Sequence, residues 1–380
     1  MNSFHKTLLL FLCCTFFACQ STKKLPNLKT ITFYVGTATN LATEGIYAYE
    51  LNLQTGETTL KNKTTGILNP SFLALSSNNQ FLYSIQKVEG QKESGVSAFS
   101  VDRNTGALQL INQQTTKGKG ACYVGVDKAN KNVLIAHYGS GSVANLPIQK
   151  DGSLGAVSDL VQHEGSSINL ERQKGPHAHF IRQGIGDFIY ATDLGIDKIM
   201  LYELENGQLK VGKTTHIDLV AGAGPRHIAF HPNEQFLYVM NELVGSVTVF
   251  EYDKQQQIFK NLQTISSLPT DFNNFNKSAD IHVHPSGKFL YASNRGFYDS
   301  IAAFTIHPKT GLLALIEIEK ESIQWPRNFA ISPDGRYLLC ANLNDDSISL
   351  FTIDVGCANE AKKFPNFLQE KSSCSGLVYT

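Results

Sequence analysis

A short apolar run built around one anchor residue returns seven times along the chain: Phe33-Tyr34-Val35-Gly36, Phe81-Leu82-Tyr83-Ser84, Val133-Leu134-Ile135-Ala136, Phe188-Ile189-Tyr190-Ala191, Phe236-Leu237-Tyr238-Val239, Phe289-Leu290-Tyr291-Ala292 and Tyr337-Leu338-Leu339-Cys340. The anchors Tyr34, Tyr83, Ile135, Tyr190, Tyr238, Tyr291 and Leu339 are 49, 52, 55, 48, 53 and 48 residues apart. An apolar stretch precedes the run, as in Pro225–Phe230 and Pro326–Ile331, and a Pro turn such as His231-Pro-Asn-Glu234 joins the two. An alternating stretch follows, as in Ser246-Val-Thr-Val-Phe250, and then a Gly turn such as Thr310-Gly-Leu-Leu313. Period-two alternation and short apolar runs bounded by turn residues are strand signals, and no segment sustains a helical period. Four antiparallel strands repeated seven times predict an all-β, seven-bladed β-propeller; a solenoid of β-hairpins is the alternative. The first repeat lacks its innermost strand. Gly376-Leu-Val-Tyr379 is expected to supply it, so that the C-terminal strand closes the ring, while residues 355–372 show little pattern.

The first residues break this pattern. Lys6 precedes an apolar segment from Thr7 to Ala18 that is too short to span a bilayer. Cys19 follows Ala18, as in a bacterial lipobox, with Phe16 where Leu is usual. The expected division is a lipoprotein-type signal peptide over 1–18 with Cys19 as the lipidated first mature residue, a tether over 19–29 and one propeller domain over 30–380. A plain cleaved signal is the alternative. The implied location is the cell envelope, in the periplasm and lipid-anchored to the membrane. Lys+Arg and Asp+Glu both number 33 and no basic run stands out, which argues against nucleic acid as a partner. No CxxC spacing suggests a metal or redox site, and Cys122 and Cys340 read as small buried strand residues.

Pseudo-rotation brings the start of every innermost strand and the end of every second strand to one mouth of the channel. These slots are 16 residues apart in Ser71/Lys87, Arg226/Glu242, Ala279/Arg295 and Arg327/Leu343. His177 takes the strand start in repeat 4, with Asp193 near the strand end. One mouth should therefore gather His177, Arg226, Glu242 and Arg295. Asn241, Asn294 and Asn342 share one repeat slot and read as turn formers. His231 and His284 fall on the opposite rim and read as structural. Glu242 and Arg295 are not demanded by the repeat, which points to function.

The motifs Gly175-Pro-His-Ala-His179, Gly222-Ala-Gly-Pro-Arg-His-Ile-Ala-Phe-His-Pro-Asn-Glu-Gln235, Asn241-Glu242-Leu243, Ala279-Asp-Ile-His-Val-His-Pro-Ser-Gly287 and Leu290-Tyr-Ala-Ser-Asn-Arg295 resemble the propeller-type lactonases. That group includes bacterial 6-phosphogluconolactonase and the carboxy-muconate lactonising enzyme. The resemblance covers roughly residues 30–353. It implies active-site roles for His177, Arg226, Glu242 and Arg295, the same four residues that the repeat geometry selects. Tyr123 stands where relatives often carry His.

The expected activity is hydrolysis of an anionic or polyhydroxyl sugar lactone in carbohydrate metabolism, by a carboxylic-ester hydrolase that needs no cofactor or metal. Glu242 or His177 would take the proton from water, with Glu242 favoured. Arg226 and Arg295 would clamp charge. His179, His227, Asp280, His282 and Arg327 would stand behind them. Asp193, Asp280 and Glu242 with a His could hold a cation, though no motif supports it. A muconate-type cycloisomerase on the same residues and a non-catalytic ligand-binding propeller are the alternatives; the latter expects an open, flat or uncharged mouth.

Overall fold

The computed structural model describes residues 29–39, 44–354, 363–369 and 374–379. The signal segment 1–18, Cys19, the tether up to residue 28 and Cys357 lie outside them. Seven antiparallel sheets follow one another around a ring. Blade 5 shows the plan: Pro225–Phe230 lines the channel, Phe236–Asn241 and Ser246–Asp253 follow outward, and Ile258–Ser266 forms the outer edge. The burial of each strand follows from its place. Every residue of Phe236–Asn241 is buried, because a sheet sandwiched between two blades has no solvent face, whereas Ile258–Ser266 mixes exposed and half-buried positions. Blade 4 varies the plan by sharing its outer place between Gln208–Lys210 and His216–Asp218.

Innermost strands of successive blades neighbour one another, and the seventh blade meets the first. The closing sheet pairs Cys374–Tyr379 with Thr30–Thr37, placing Phe33 opposite Tyr379 and Val35 opposite Leu377. The expected closure by the C-terminus is thus present. The outer strand of blade 7 is Lys363–Gln369, inside the stretch that shows little pattern in the sequence.

The core consists of the layers between blade faces. Phe33, Tyr49 and Leu51 of blade 1 pack on Leu339, Ile348 and Leu350 of blade 7, and Tyr238 and Val249 of blade 5 on Leu290 and Phe304 of blade 6. Polar groups stitch the same seams. Tyr83 Oη donates to the carbonyl of Gly152 at 3.1 Å, and Tyr238 Oη to Gly311 at 3.1 Å. Gly311 is in the left-handed region (φ 68°), and a Cβ there would lie 2.5 Å from the Phe236 ring. His231 Nε2 donates to the Gly287 carbonyl and His284 Nε2 to Gly335, both at 2.9 Å, so these two histidines are seam residues on the far rim. Asn241, Asn294 and Asn342 end their strands by donating across the next turn to Ser246, Ser300 and Ser347. Cys122 and Cys340 are buried free thiols.

A chain ending at residue 373 should lose the innermost strand of blade 1 and uncover the Phe33–Val35 edge. Thermal unfolding should shift down by roughly 10 °C or more, as for a loss of several kcal/mol in a domain of this size. An unchanged midpoint would contradict closure by that strand.

Candidate active site

The innermost strand of blade 1 is bulged between Cys374 and Gly376, and in four further blades the innermost strand carries a register shift at its start: between Ala121 and Tyr123, Ala178 and Phe180, Pro225 and His227, and Pro326 and Asn328. A bulge bends the strand and re-aims the extra residue. In those four blades the bulge residues are Cys122, His179, Arg226 and Arg327. Cys122, His179 and Arg327 line a cavity of about 520 Å³ at the mouth, together with Tyr138, Arg172, Glu242, Lys277, Arg295 and Trp325. Burial pushes the Cys122 thiol up to about 11, so it is not a thiolate nucleophile at neutral pH.

The bulge also decides between the two histidines of blade 4. Counting back sixteen residues from Asp193 gives His177, one residue out of register with the other repeats. The structure gives the mouth slot to His179, the bulge residue after Ala178, because the blade 4 hairpin is one residue shorter than that of blade 5. His177 is half-buried at the rim, its ring stacked on Tyr138 with centroids 4.4 Å apart. Its Nδ1 donates to the Tyr138 carbonyl at 2.8 Å. A carbonyl only accepts, so Nδ1 carries a proton. The backbone N–H of His177 donates to Asp193 Oδ1 at 2.7 Å, and Asp193 Oδ2 is held by buried His163 Nδ1 at 2.7 Å. His179 is buried, and its Nδ1 has no partner. Burial, with the charge of Arg226 behind it, holds that imidazole well below its ordinary value, so it is neutral.

Glu242 ends the second strand of blade 5 and is 3% exposed. Arg172 Nη2 donates to its Oε1 at 2.6 Å. Arg295 Nη2 lies 3.3 Å and Arg226 Nε 3.0 Å from Oε2. The Arg226 contact is ionic without hydrogen-bond alignment, since Arg226 Nε has no hydrogen-bond partner. Burial alone would raise the Glu242 carboxyl; the guanidiniums of Arg295, Arg226 and Arg172 outweigh it and hold it down at about 2. Guanidinium groups engage both carboxylate oxygens, which leaves no free oxygen to take a proton from water and weighs against Glu242 as the base.

Arg226 is 1% exposed and braces the next blade, donating through Nη1 to the Ala279 carbonyl at 2.7 Å. Burial draws it down to about 10, which leaves it charged at neutral pH. Arg226 Nη1 also lies 3.3 Å from His227 Nε2, and His227 Nδ1 donates to Asp280 Oδ1 at 2.7 Å. Asp280 Oδ2 accepts from His282 Nε2 at 3.0 Å. His227 and Asp280 thus support Arg226 from below, while His282 faces a second channel cavity of about 340 Å³ toward the other end. Tyr123 lines that lower cavity and not the mouth. Among the described residues Asp193, Asp280 and Glu242 do not converge on one cation site: Asp193 pairs with His163, and Arg226 and His227 stand between Glu242 and Asp280.

Four mouth residues escaped the sequence reading. Arg172 and Lys277 lie on connections between blades, and Trp325 immediately precedes the innermost strand of blade 7; a repeat comparison assigns none of them a function. Tyr138 could have been found, because it stands 16 residues after Cys122, at the slot that Glu242 fills in blade 5. Arg172 Nη2 donates to Tyr138 Oη at 3.1 Å, so Tyr138 links the Glu242 cluster to His177. The assembled mouth is charged and concave: Arg172, Arg295, Arg327 and Lys277 surround one carboxylate. Neutral imidazole and clustered guanidinium groups can take a proton from water and stabilise a developing oxyanion.

A family model described as lactonase, seven-bladed β-propeller, matches residues 32–364. The chain is 38% identical over 322 residues to the 6-phosphogluconolactonase of Bacillus subtilis, covering 84% of this chain and 90% of that one. It is 34% identical to the 6-phosphogluconolactonase of Formosa agariphila, covering 88% and 96%. The periplasmic gluconolactonase of Pseudomonas aeruginosa superposes with a TM-score of 0.86 at 27% identity, over 92% of this chain and 99% of that one.

The buried titratable groups set a pH dependence. Burial is the main cause that lowers His137 and His227 to about 4, and it also lowers His179 and His284. The unfolded chain binds these protons first, so stability is complete above the ordinary imidazole value of 6.5 and falls as pH drops toward 4. Each group adds a slope of up to about 1.4 kcal/mol per pH unit. Glu242 and Asp280, both depressed, act in the same direction below their ordinary 4.5 and 3.8. The thermal midpoint should fall steeply from pH 6.5 to 4; a flat or rising curve would contradict neutral burial of these imidazoles.

Proposed function

The chain belongs to the lactonase family of seven-bladed β-propellers, and we propose that its mouth hydrolyses a sugar δ-lactone bearing negative charge, in the manner of a 6-phosphogluconolactonase. The observation that carries this reading is one cavity lined by a neutral imidazole beside guanidinium groups oriented by a buried carboxylate. Water attacks the lactone carbonyl while the His179 imidazole takes its proton. The tetrahedral oxyanion forms against Arg295 and Arg172, which act as electrostatic stabilisers. The ring C–O bond then breaks, the ring oxygen takes up the proton, and an aldonate leaves. Arg327 and Lys277 have no carboxylate partner among the described residues and face the cavity. They suit a phosphate or carboxylate on the substrate. Glu242 keeps Arg172 and Arg295 aimed; Arg226 supports it from beneath. His177, with Nε2 available at the rim, serves as a relay to solvent.

The enzyme in this reading is exported. The 1–18 signal pattern with Cys19 and the likeness to a periplasmic gluconolactonase support a lipid-anchored envelope location.

Acid release from δ-gluconolactone and its 6-phosphate, followed by pH-stat on the mature protein, should exceed the spontaneous rate and favour the phosphorylated lactone. His179→Asn should lower kcat by roughly 10²- to 10⁴-fold, the usual range for a positioned acid–base group. His177→Asn should lower it far less. No acceleration with any sugar lactone overturns the proposal. Palmitate labelling in cells should mark the wild-type chain and spare Cys19→Ala; an unlabelled wild type removes the lipid anchor.

A further inference from the structure

The residue before an innermost strand repeatedly takes a left-handed backbone. Gly120 (φ 63°) precedes blade 3, Gly224 (φ 65°) precedes blade 5, and Asn69 (φ 53°) occupies the slot before Pro70 in blade 2. Glycine and asparagine are the residues that tolerate this conformation. Blade 7 places Trp325 in the same slot, at φ 53°, and it is the one tryptophan in the chain. A bulky side chain there is a genuine outlier, and strain of this kind clusters at functional sites. The surrounding structure enforces it. Trp325 N–H donates to Asp299 Oδ2 at 2.7 Å, and its carbonyl accepts from Leu343 N–H at 3.2 Å.

The indole is half-buried and lines the mouth cavity beside Arg327 and Arg295, with the Arg295 guanidinium 5.7 Å over its ring. Arg295 does not need the indole to hold its place, because it donates to the Lys277 carbonyl at 3.0 Å and meets Glu242. A glycine would satisfy the backbone without strain, so the demand for tryptophan comes from its ring.

We infer that Trp325 is a stacking platform for the pyranose ring of the substrate. This inference rests on the lactonase reading of the same site. A hexose lactone has an apolar C–H face and a polar edge. Laid on the indole, its face covers apolar surface while its carbonyl and hydroxyl edge points toward Arg295, Arg172 and His179. Trp325 therefore selects six-membered sugar lactones by ring face, separately from the cations that select negative charge.

The test uses Trp325→Gly, Trp325→Phe and the intrinsic fluorescence of the one indole. Glycine relieves the left-handed strain, so Trp325→Gly should unfold at the same temperature as wild type or higher. Its KM for 6-phosphogluconolactone should rise about tenfold with kcat within about threefold, and Trp325→Phe should lie between. Glucose 6-phosphate, a pyranose with no ester to hydrolyse, should shift or quench wild-type fluorescence at the concentrations that inhibit turnover, and inorganic phosphate should not. An unchanged KM in a folded Trp325→Gly, fluorescence that glucose 6-phosphate leaves flat, or a shift reproduced by phosphate alone overturns the platform. A wild type inactive on every lactone whose fluorescence still responds to the pyranose defeats the hydrolase reading and supports the platform; an active wild type with flat fluorescence defeats the platform alone.

Discussion

One buried carboxylate organises the mouth. Glu242 is nearly inaccessible and carries full negative charge only because Arg172, Arg226 and Arg295 approach it from three sides. A lone ionised carboxyl at that depth would protonate, and guanidinium groups crowded without it would repel one another. The three arginines reach it from different parts of the ring: a connection between blades 3 and 4, the start of blade 5, and the end of a strand in blade 6. The cluster therefore exists only when the ring is closed and the blades are in register. Ring closure by the C-terminal strand, the seam histidines His231 and His284, and the Asn-to-Ser bonds at the strand ends all serve to hold those approaches fixed. Arg226 shows the coupling in one residue, since the same guanidinium contacts Glu242, the next blade at Ala279, and the His227–Asp280 pair beneath.

Charge and strain concentrate where the repeat stops dictating the residue. Strand interiors must bury both faces, and they vary little from blade to blade. Strand starts, strand ends and blade connections face solvent or the channel, and they carry Arg172, His179, Lys277, Trp325 and Arg327. In blades 3, 4, 5 and 7 the bulge at the start of the innermost strand is the device that re-aims one side chain. A rigid scaffold with adaptable positions at one face is how a propeller hosts chemistry.

The ring was legible from the sequence because strand period and repeat period are both encoded in apolar positions. Tyr34 through Leu339 mark seven second strands, and the missing first strand demanded one from the C-terminus. Lys363–Gln369 was not legible, since an edge strand with one open side needs no apolar repeat, and a Pro within it hides the pattern. Glu242 and Arg295 could be found because they break the repeat at a known slot. His177 and His179 show the limit of that method. Residue spacing gives the slot only if every hairpin has the same length, and the blade 4 hairpin is one residue shorter than that of blade 5, which passes the slot from His177 to His179. Arg172 lies in a connection with no counterpart in the other repeats, so no comparison within the chain could assign it.

The central claim is that Glu242 is a permanently charged anchor and not the proton acceptor. The direct measurement is the carboxyl ¹³C shift of Glu242 against pH, assigned by its loss in Glu242→Gln. The arginine cluster predicts that the carboxylate stays ionised to the acid limit of the folded state, with a midpoint near the value of about 2 that those charges enforce. A midpoint at or above the ordinary glutamate value of 4.5 would contradict the account and return Glu242 to the role of base.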